Sequence, residues 1–216
     1  EDGDAFLVSS LQVKKSKYSF SQFLKRFSIV KEEMQIDLDE FDLSYYTYGM
    51  SIYKNMPLIE PLETKEVKKI YEFVIVLDTS YSINENLAKR FISNTYSILS
   101  TSNMFYKSCK VHIIQCDDRI RKDDVISNQN EMDQLLNSFT LVGKGNTDFR
   151  PVFSYVNDLI NQKVFQNLCG LLYFTDGKGI YPKKSPAYKT AFIYLEDYDQ
   201  SKVPSWAIQY RLEEKL

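Results

Sequence analysis

The sequence predicts an α/β fold, a doubly wound, mainly parallel open sheet with one antiparallel edge strand and helices on both faces. Three observations carry this. The run Tyr71-Glu72-Phe73-Val74-Ile75-Val76-Leu77 is nearly continuous in apolar residues, as a parallel strand covered on both faces requires. Downstream of it, strand-like and helix-like segments alternate, the pattern of a sheet crossed by helices. Segments 109–116 and 119–126 flank Asp117-Asp118, a turn too short for a parallel crossover, so the second of them runs antiparallel.

Taken in order, residues 1–18 are polar and charged without a clear period and read as a tether. From Ser19, the residues Phe20, Phe23, Leu24, Phe27 and Val30 recur at spacings of three and four, which predicts a helix over 19–34. Residues 35–70 are acidic, then rich in tyrosine (Tyr45, Tyr46, Tyr48, Tyr53), then interrupted by Pro57 and Pro61, so they read as an irregular segment wrapped on the main domain, with the tyrosines packed in its core. The expected organisation is therefore a tether (1–18), a helix with an irregular lead-in (19–69) and an α/β domain (70–216).

Within that domain the run 71–77 is the central strand. Ile83, Leu87, Ala88, Phe91, Ile98 and Leu99 predict a helix over 84–101, and 131–139 a short one. Pro151 suits the first turn of a helix running to about Asn161. Segment 167–175, with Leu171, Leu172, Tyr173 and Phe174, is a second buried strand, and 191–195 and 207–212 supply the last two.

Composition narrows the function. The chain has 216 residues, 44% of them hydrophobic and 26% charged, which suits a globular domain with a substantial core. Its formal net charge of −2 lacks the basic excess of a phosphate-backbone binder, so no nucleic acid partner is expected. The longest apolar runs resemble 73–77 and fall far short of the roughly 20 residues a membrane helix needs, so no membrane association and a cytoplasmic location are expected. Glu rather than Met at position 1 is expected of a fragment of a longer protein. Cys109, Cys116 and Cys169 are odd in number and lack CxxC spacing, the pattern of buried small hydrophobes rather than of disulfides or a zinc site. The single histidine, His112, lies in a strand-like stretch, which argues against a histidine-based hydrolase and for a side chain packed on the sheet.

In an open parallel sheet, ligands sit beyond the carboxyl ends of the strands where strand order reverses. Three polar turns fall there, at 78–82, 143–148 and 176–179. Asp78, Ser80 and Ser82 stand at i, i+2 and i+4 between a strand and a helix, so one tight turn can aim three side-chain oxygens into one space. Thr147 and Asp176 reach the same rim if the topology holds. Five oxygens without nitrogen or sulfur form a hard donor set, suited to Mg²⁺ or Mn²⁺. Asp78 and Ser82 are also ordinary helix-capping residues, and the glycines of 143–148 read as turn formers because the GxxxxGK[ST] order is absent. Asp148 either supports the ligands from behind or serves as a helix-start carboxylate. Asp117-Asp118, beside Arg119, reads as a solvated turn.

Asp78-Thr79-Ser80-Tyr81-Ser82, Thr147 and Phe174-Thr175-Asp176-Gly177 resemble the metal-ion-dependent adhesion site (MIDAS) of von Willebrand factor A (VWA) domains. The resemblance implies that Ser80, Ser82 and Thr147 offer hydroxyls to the metal, with Asp78 and Asp176 acting directly or through waters. Tyr81 stands where the family usually has glycine. Segments 145–153 and 173–177, with Tyr48-Gly49 and 55–60, are further similar to bacterial A-like domains carried behind a metallopeptidase-like domain and often encoded beside a MoxR-type AAA ATPase. The function implied is a non-enzymatic, metal-dependent protein-interaction module that binds a partner's carboxylate, with a MoxR-type AAA ATPase as the candidate partner. The alternative is the regulatory part of a metal-dependent hydrolase whose catalytic domain lies outside this chain.

Overall fold

The apolar run that ends at Asp78 lies inside an 18-residue strand, β2 (Pro61–Asp78). The computed structural model describes residues 20–81, 83–101, 104–143, 145–194 and 198–212, so the expected tether at 1–18 lies outside the described residues. The chain divides into two compact units, one made of 29–69 and the other of the remainder.

In the larger unit the strands are ordered β4-β3-β2-β5-β6-β7, with β3 at Phe105–Cys116, β4 at Ile120–Ile126, β5 at Leu168–Thr175, β6 at Thr190–Tyr194 and β7 at Ile208–Arg211. The carboxyl-terminal half of β2 lies parallel to both β3 and β5, pairing Val76 with Ile114 and with Tyr173. Strands β5, β6 and β7 continue in parallel, and β4 is the antiparallel edge. The chain works outward from β2 to β4 and then returns to β5, so strand order reverses between β2 and β5, next to Asp78 and Thr175.

Both faces are covered. Alternate residues of a strand point to opposite faces, and here Phe73 packs edge-on against Phe27 and Phe174 stacks on Phe91 on one side. On the other side Val74, Val76, Leu171 and Tyr173 join a core with Val152, Phe153 and Val156. The first face receives α3 (Glu85–Thr101), whose buried stripe is Ala88, Phe91, Ile92, Thr95, Tyr96 and Leu99. The second receives α5 (Arg150–Asn161), which starts with Pro151 in its first turn, where the missing N–H costs least. Helix α4 (Gln129–Ser138) is capped by Asn128, whose side chain accepts from the Glu131 N–H.

The helix expected over 19–34 is shorter. Residues 20–24 are helical and close with a 3₁₀ turn, Lys25–Phe27, together α1. Ser28 is extended, and β1 (Ile29–Phe41) begins at once. The apolar stripe through Phe20, Phe23, Leu24 and Phe27 is a true helical face, all four side chains being buried. Val30 continues its spacing by coincidence, because Met34, Ile36 and Leu38 then alternate with period two. Gly170 makes the seat for α1, since a Cβ there would stand 2.3 Å from Phe27 Cδ1.

The segment expected to be irregular, 35–70, is also ordered. In the smaller unit β1 pairs antiparallel with the first half of β2, Ile29 opposite Lys69 and Met34 opposite Thr64, with register shifts beyond Met34. Between them runs α2 (Leu43–Tyr53), capped by Asp42, whose Oδ1 accepts the Ser44 N–H at 2.7 Å. The Pro57 and Pro61 signals hold only after α2 has ended. Tyr45, Tyr48 and Tyr53 are exposed, which corrects their expected place in a core. The physical reason is that α2 carries apolar residues around most of its circumference and the unit buries hardly any of them.

Candidate metal-binding rim

Asp78 ends β2 with its side chain fully buried. Its Oδ1 accepts the Ser80 N–H at 2.9 Å, the local turn that aspartate forms with the amide two residues on. Its Oδ2 accepts the Thr175 hydroxyl at 2.7 Å from the end of β5. Thr175 Oγ1 in turn accepts the Gly177 N–H at 3.1 Å, and Gly177 turns the chain with a φ of 84°, a conformation that suits glycine. A hydrogen-bonded path thus joins the first polar turn to the third. Burial raises the Asp78 pKa; the Thr175 and Ser80 hydrogen bonds oppose that rise, and the charge of Asp176 adds to it. The groups acting on Asp78 are hydroxyls, an amide and a second carboxylate.

Asp176 is also buried, its Oδ1 accepting the Lys178 N–H at 3.0 Å and its Oδ2 lying 3.5 Å from Lys178 Nζ. Ser80 is buried beside Asp78, while Tyr81, the residue at the family's glycine position, is 81% exposed. Ser82 lies outside the described residues.

Thr147 is half-buried on the loop between α4 and α5. The residues that follow it are fastened to the third turn, since Asp148 bridges Ile180 and the Phe149 N–H donates to Ile180 O at 3.1 Å. Gly179 allows the approach, because a Cβ there would meet Thr147 Cγ2 at 2.7 Å and the Phe149 ring at 2.5 Å. Asp148 sits at the start of α5, where its Oδ1 accepts the Arg150 N–H at 3.0 Å and its carboxylate forks with the Arg150 guanidinium. Arg150 holds the Asp148 carboxyl below the usual carboxylate range.

The fold therefore brings Asp78, Ser80 and Asp176 to one rim and sets Thr147 against the same turn. Among the described residues, no three His, Cys, Asp or Glu side chains converge as a metal cluster. Two carboxylates and neutral hydroxyls are what the rim offers, an all-oxygen donor set of the kind that divalent cations take. His112 is elsewhere, buried on β3 with Nδ1 3.0 Å from Asp123 and its ring edge-on to Phe165.

Sequence reasoning missed the residues that hold the Thr147 loop from below. Gln115 donates through Nε2 to Thr140 O and accepts the Val142 N–H at Oε1, while Glu85 accepts the Leu141 N–H. Asp117, expected to be a solvated turn residue, is fully buried in an ion pair with Arg121, and only its neighbour Asp118 is exposed. An acid with a basic residue four positions on was the available signal.

An open, mainly parallel sheet with oxygen donors collected at its strand-order reversal defines an α/β domain of the VWA/Rossmann-like class. The chain belongs to the family described as VWA-like domain (DUF2201), whose model matches residues 73–213. No curated protein matches it at a significant level. Among solved structures it is similar to the SpRpn10 VWA domain, with 9% identity and a TM-score of 0.48 over 68% of this chain and 91% of the other. A von Willebrand factor type A protein from Catenulispora acidiphila gives 8% identity and a TM-score of 0.47, over 69% of this chain and 40% of the other. Proximal thread matrix protein 1 from the mussel byssus, with a zinc-occupied MIDAS motif, gives 11% identity and a TM-score of 0.44, over 68% and 42%. The chain thus spans less than half the length of the last two. No described helix is long and apolar enough to cross a membrane.

Proposed function

We propose that this chain is a metal-dependent protein-interaction module. Asp78, Ser80, Ser82, Thr147 and Asp176 would hold Mg²⁺ or Mn²⁺, the first and last directly or through water. The observation that carries the reading is the buried Asp78 carboxylate, which is answered by hydroxyls, an amide and the neighbouring Asp176. Burying a carboxylate beside a second one is costly, and the largely exposed Lys178 answers only Asp176, so a cation at Asp78 would relieve that cost. Hydroxyl donors neutralise no charge, so an ion held largely by them stays electron-poor and attracts a carboxylate from another chain. The resemblance to A-like domains encoded beside MoxR-type AAA ATPases supplies the candidate partner, with this chain as adaptor.

Calorimetric titration of the purified chain with Mn²⁺ tests the site. Asp78→Ala should abolish binding while far-UV circular dichroism stays native, because the residue lies at a strand end. A variant that binds Mn²⁺ like the parent would show that the donors are misassigned. Capture of the neighbouring ATPase should be lost in EDTA, return with Mn²⁺, and fail in Ser80→Ala and Thr147→Ala. Undiminished capture in EDTA would defeat the metal bridge.

A further inference from the structure

The turn between β3 and β4 carries none of the proposed metal donors, yet it is tied to the loop that carries one. The Asp117 carboxylate is fully buried. Arg121 grips it as a fork, Nε standing 2.8 Å from Oδ1 and Nη2 2.7 Å from Oδ2. The N–H groups of Asp118 and Arg119 donate to Oδ1 at 2.7 and 3.2 Å. The remaining direction is taken by the Gly145 N–H, which donates to Oδ2 at 3.2 Å. Asp117 also receives the Asp148 N–H on its backbone carbonyl, at 3.0 Å. Thr147 is thus bracketed, two residues before and one after, by hydrogen bonds to a single residue.

The glycines of this loop follow from that contact. A Cβ at 145 would stand 2.8 Å from Asp117 Oδ2, and one at 143 would stand 3.0 Å from the same oxygen and 2.3 Å from Thr79 Oγ1. The loop lies directly on the carboxylate. The Thr79 N–H, from the first polar turn, donates to Cys116 O at 3.0 Å and joins that turn to the same corner.

We infer that Asp117, forked by Arg121, is the positioning residue of the candidate metal site: it fixes Gly145 and Asp148 so that Thr147 between them meets the turn carrying Asp176. The inference rests on the metal-site reading above. The charge matters as well as the shape. An asparagine keeps one acceptor but turns an NH₂ group toward donors, the Asp118 and Arg119 amides and Arg121 Nε at the Oδ1 position or Arg121 Nη2 and the Gly145 amide at the Oδ2 position, so either orientation breaks part of the set that holds the turn and the loop together.

The test uses Mn²⁺ alone as ligand, with calorimetry, thermal melting and amide hydrogen exchange over 143–148 on the parent, Asp117→Asn and Arg121→Lys. Leu99→Ala, a buried truncation on α3, is the control for general destabilisation. Asp117→Asn is expected to weaken Mn²⁺ at least tenfold and to speed exchange of the loop, Arg121→Lys to do both to a smaller degree, and Leu99→Ala to lower the melting temperature with Mn²⁺ affinity kept. Should Asp117→Asn fail to fold, Arg121→Lys, which retains a cation, carries the test. A parent that binds Mn²⁺ together with Asp117→Asn or Arg121→Lys variants within twofold of it overturns the positioning role alone. A parent that binds none overturns the metal reading, and this inference with it.

Discussion

The Thr175 hydroxyl, at the end of β5, donates to Asp78 Oδ2 across 2.7 Å at the end of the neighbouring β2. One side-chain bond thereby clamps the strand ends on either side of the strand-order reversal. Thr175→Val keeps the shape and removes the donor, leaving a buried carboxylate short of a partner. The expected loss is about 1.5–3 kcal/mol, the range for hydrogen bonds to charged groups. Thr175→Ser should recover most of it. Thermal melting followed by circular dichroism reads the outcome, and a valine variant as stable as the parent would show that the clamp is idle.

Lys178 places a cation 3.5 Å from Asp176 Oδ2, where it competes with any metal for that carboxylate. Its side chain is largely exposed, so the pair contributes no more than about 1 kcal/mol. Lys178→Ala should therefore tighten Mn²⁺ by up to about fivefold. Calorimetry checks this, and unchanged or weaker binding would show that the lysine does not compete.

The seat of α1 on β5 gives a coupled pair. Phe27→Ala should cost about 3–5 kcal/mol as a core truncation. Gly170→Ala should cost about 1–3 kcal/mol by overpacking, because its new methyl would press into the Phe27 ring. Together the two should cost less than their sum, since the missing ring leaves room for the methyl. Urea denaturation of the four proteins closes the cycle, and strict additivity would show that α1 does not rest on Gly170.

Cys109, Cys116 and Cys169 are all buried and free. Burial pushes the Cys116 thiol up to about 12 and raises Cys109 as well, so neither forms the reactive thiolate near neutral pH. Iodoacetamide at pH 8 should leave the folded protein unlabelled and modify three thiols in urea, counted by intact mass. Rapid labelling of the native chain would contradict this packing.

Most of the larger unit was legible because its signals are local. The unbroken apolar run before Asp78, the proline opening α5 and the short turn before β4 each act within a few residues. The rim was legible only as far as a motif could carry it. Asp78, Ser80 and Asp176 stand in recognisable strings, whereas Thr175, Gln115 and Asp117 matter through partners distant in sequence, and charge near a turn looks solvated until the fold covers it. Where α1 gives way to β1, a helical stripe runs into a strand without a glycine or proline between them, so the sequence offered no stop. Asp42 was the missed start signal for α2, hidden in an acidic stretch where one more aspartate carries little information.

The pairing of Ile29 with Lys69 has a consequence for how this chain is put together. The polypeptide leaves the larger unit after Ser28 and rejoins it at Ile70, and those two crossings are neighbours on one ladder. Residues 29–69 are thus a cassette spliced into a host whose first segment, α1, precedes the splice. A fragment beginning where the family match begins would discard α1 and uncover Phe73, Phe91 and Tyr210. Replacing 30–68 with a two-residue turn instead removes the cassette and keeps the host intact, because the ends to be joined already lie side by side.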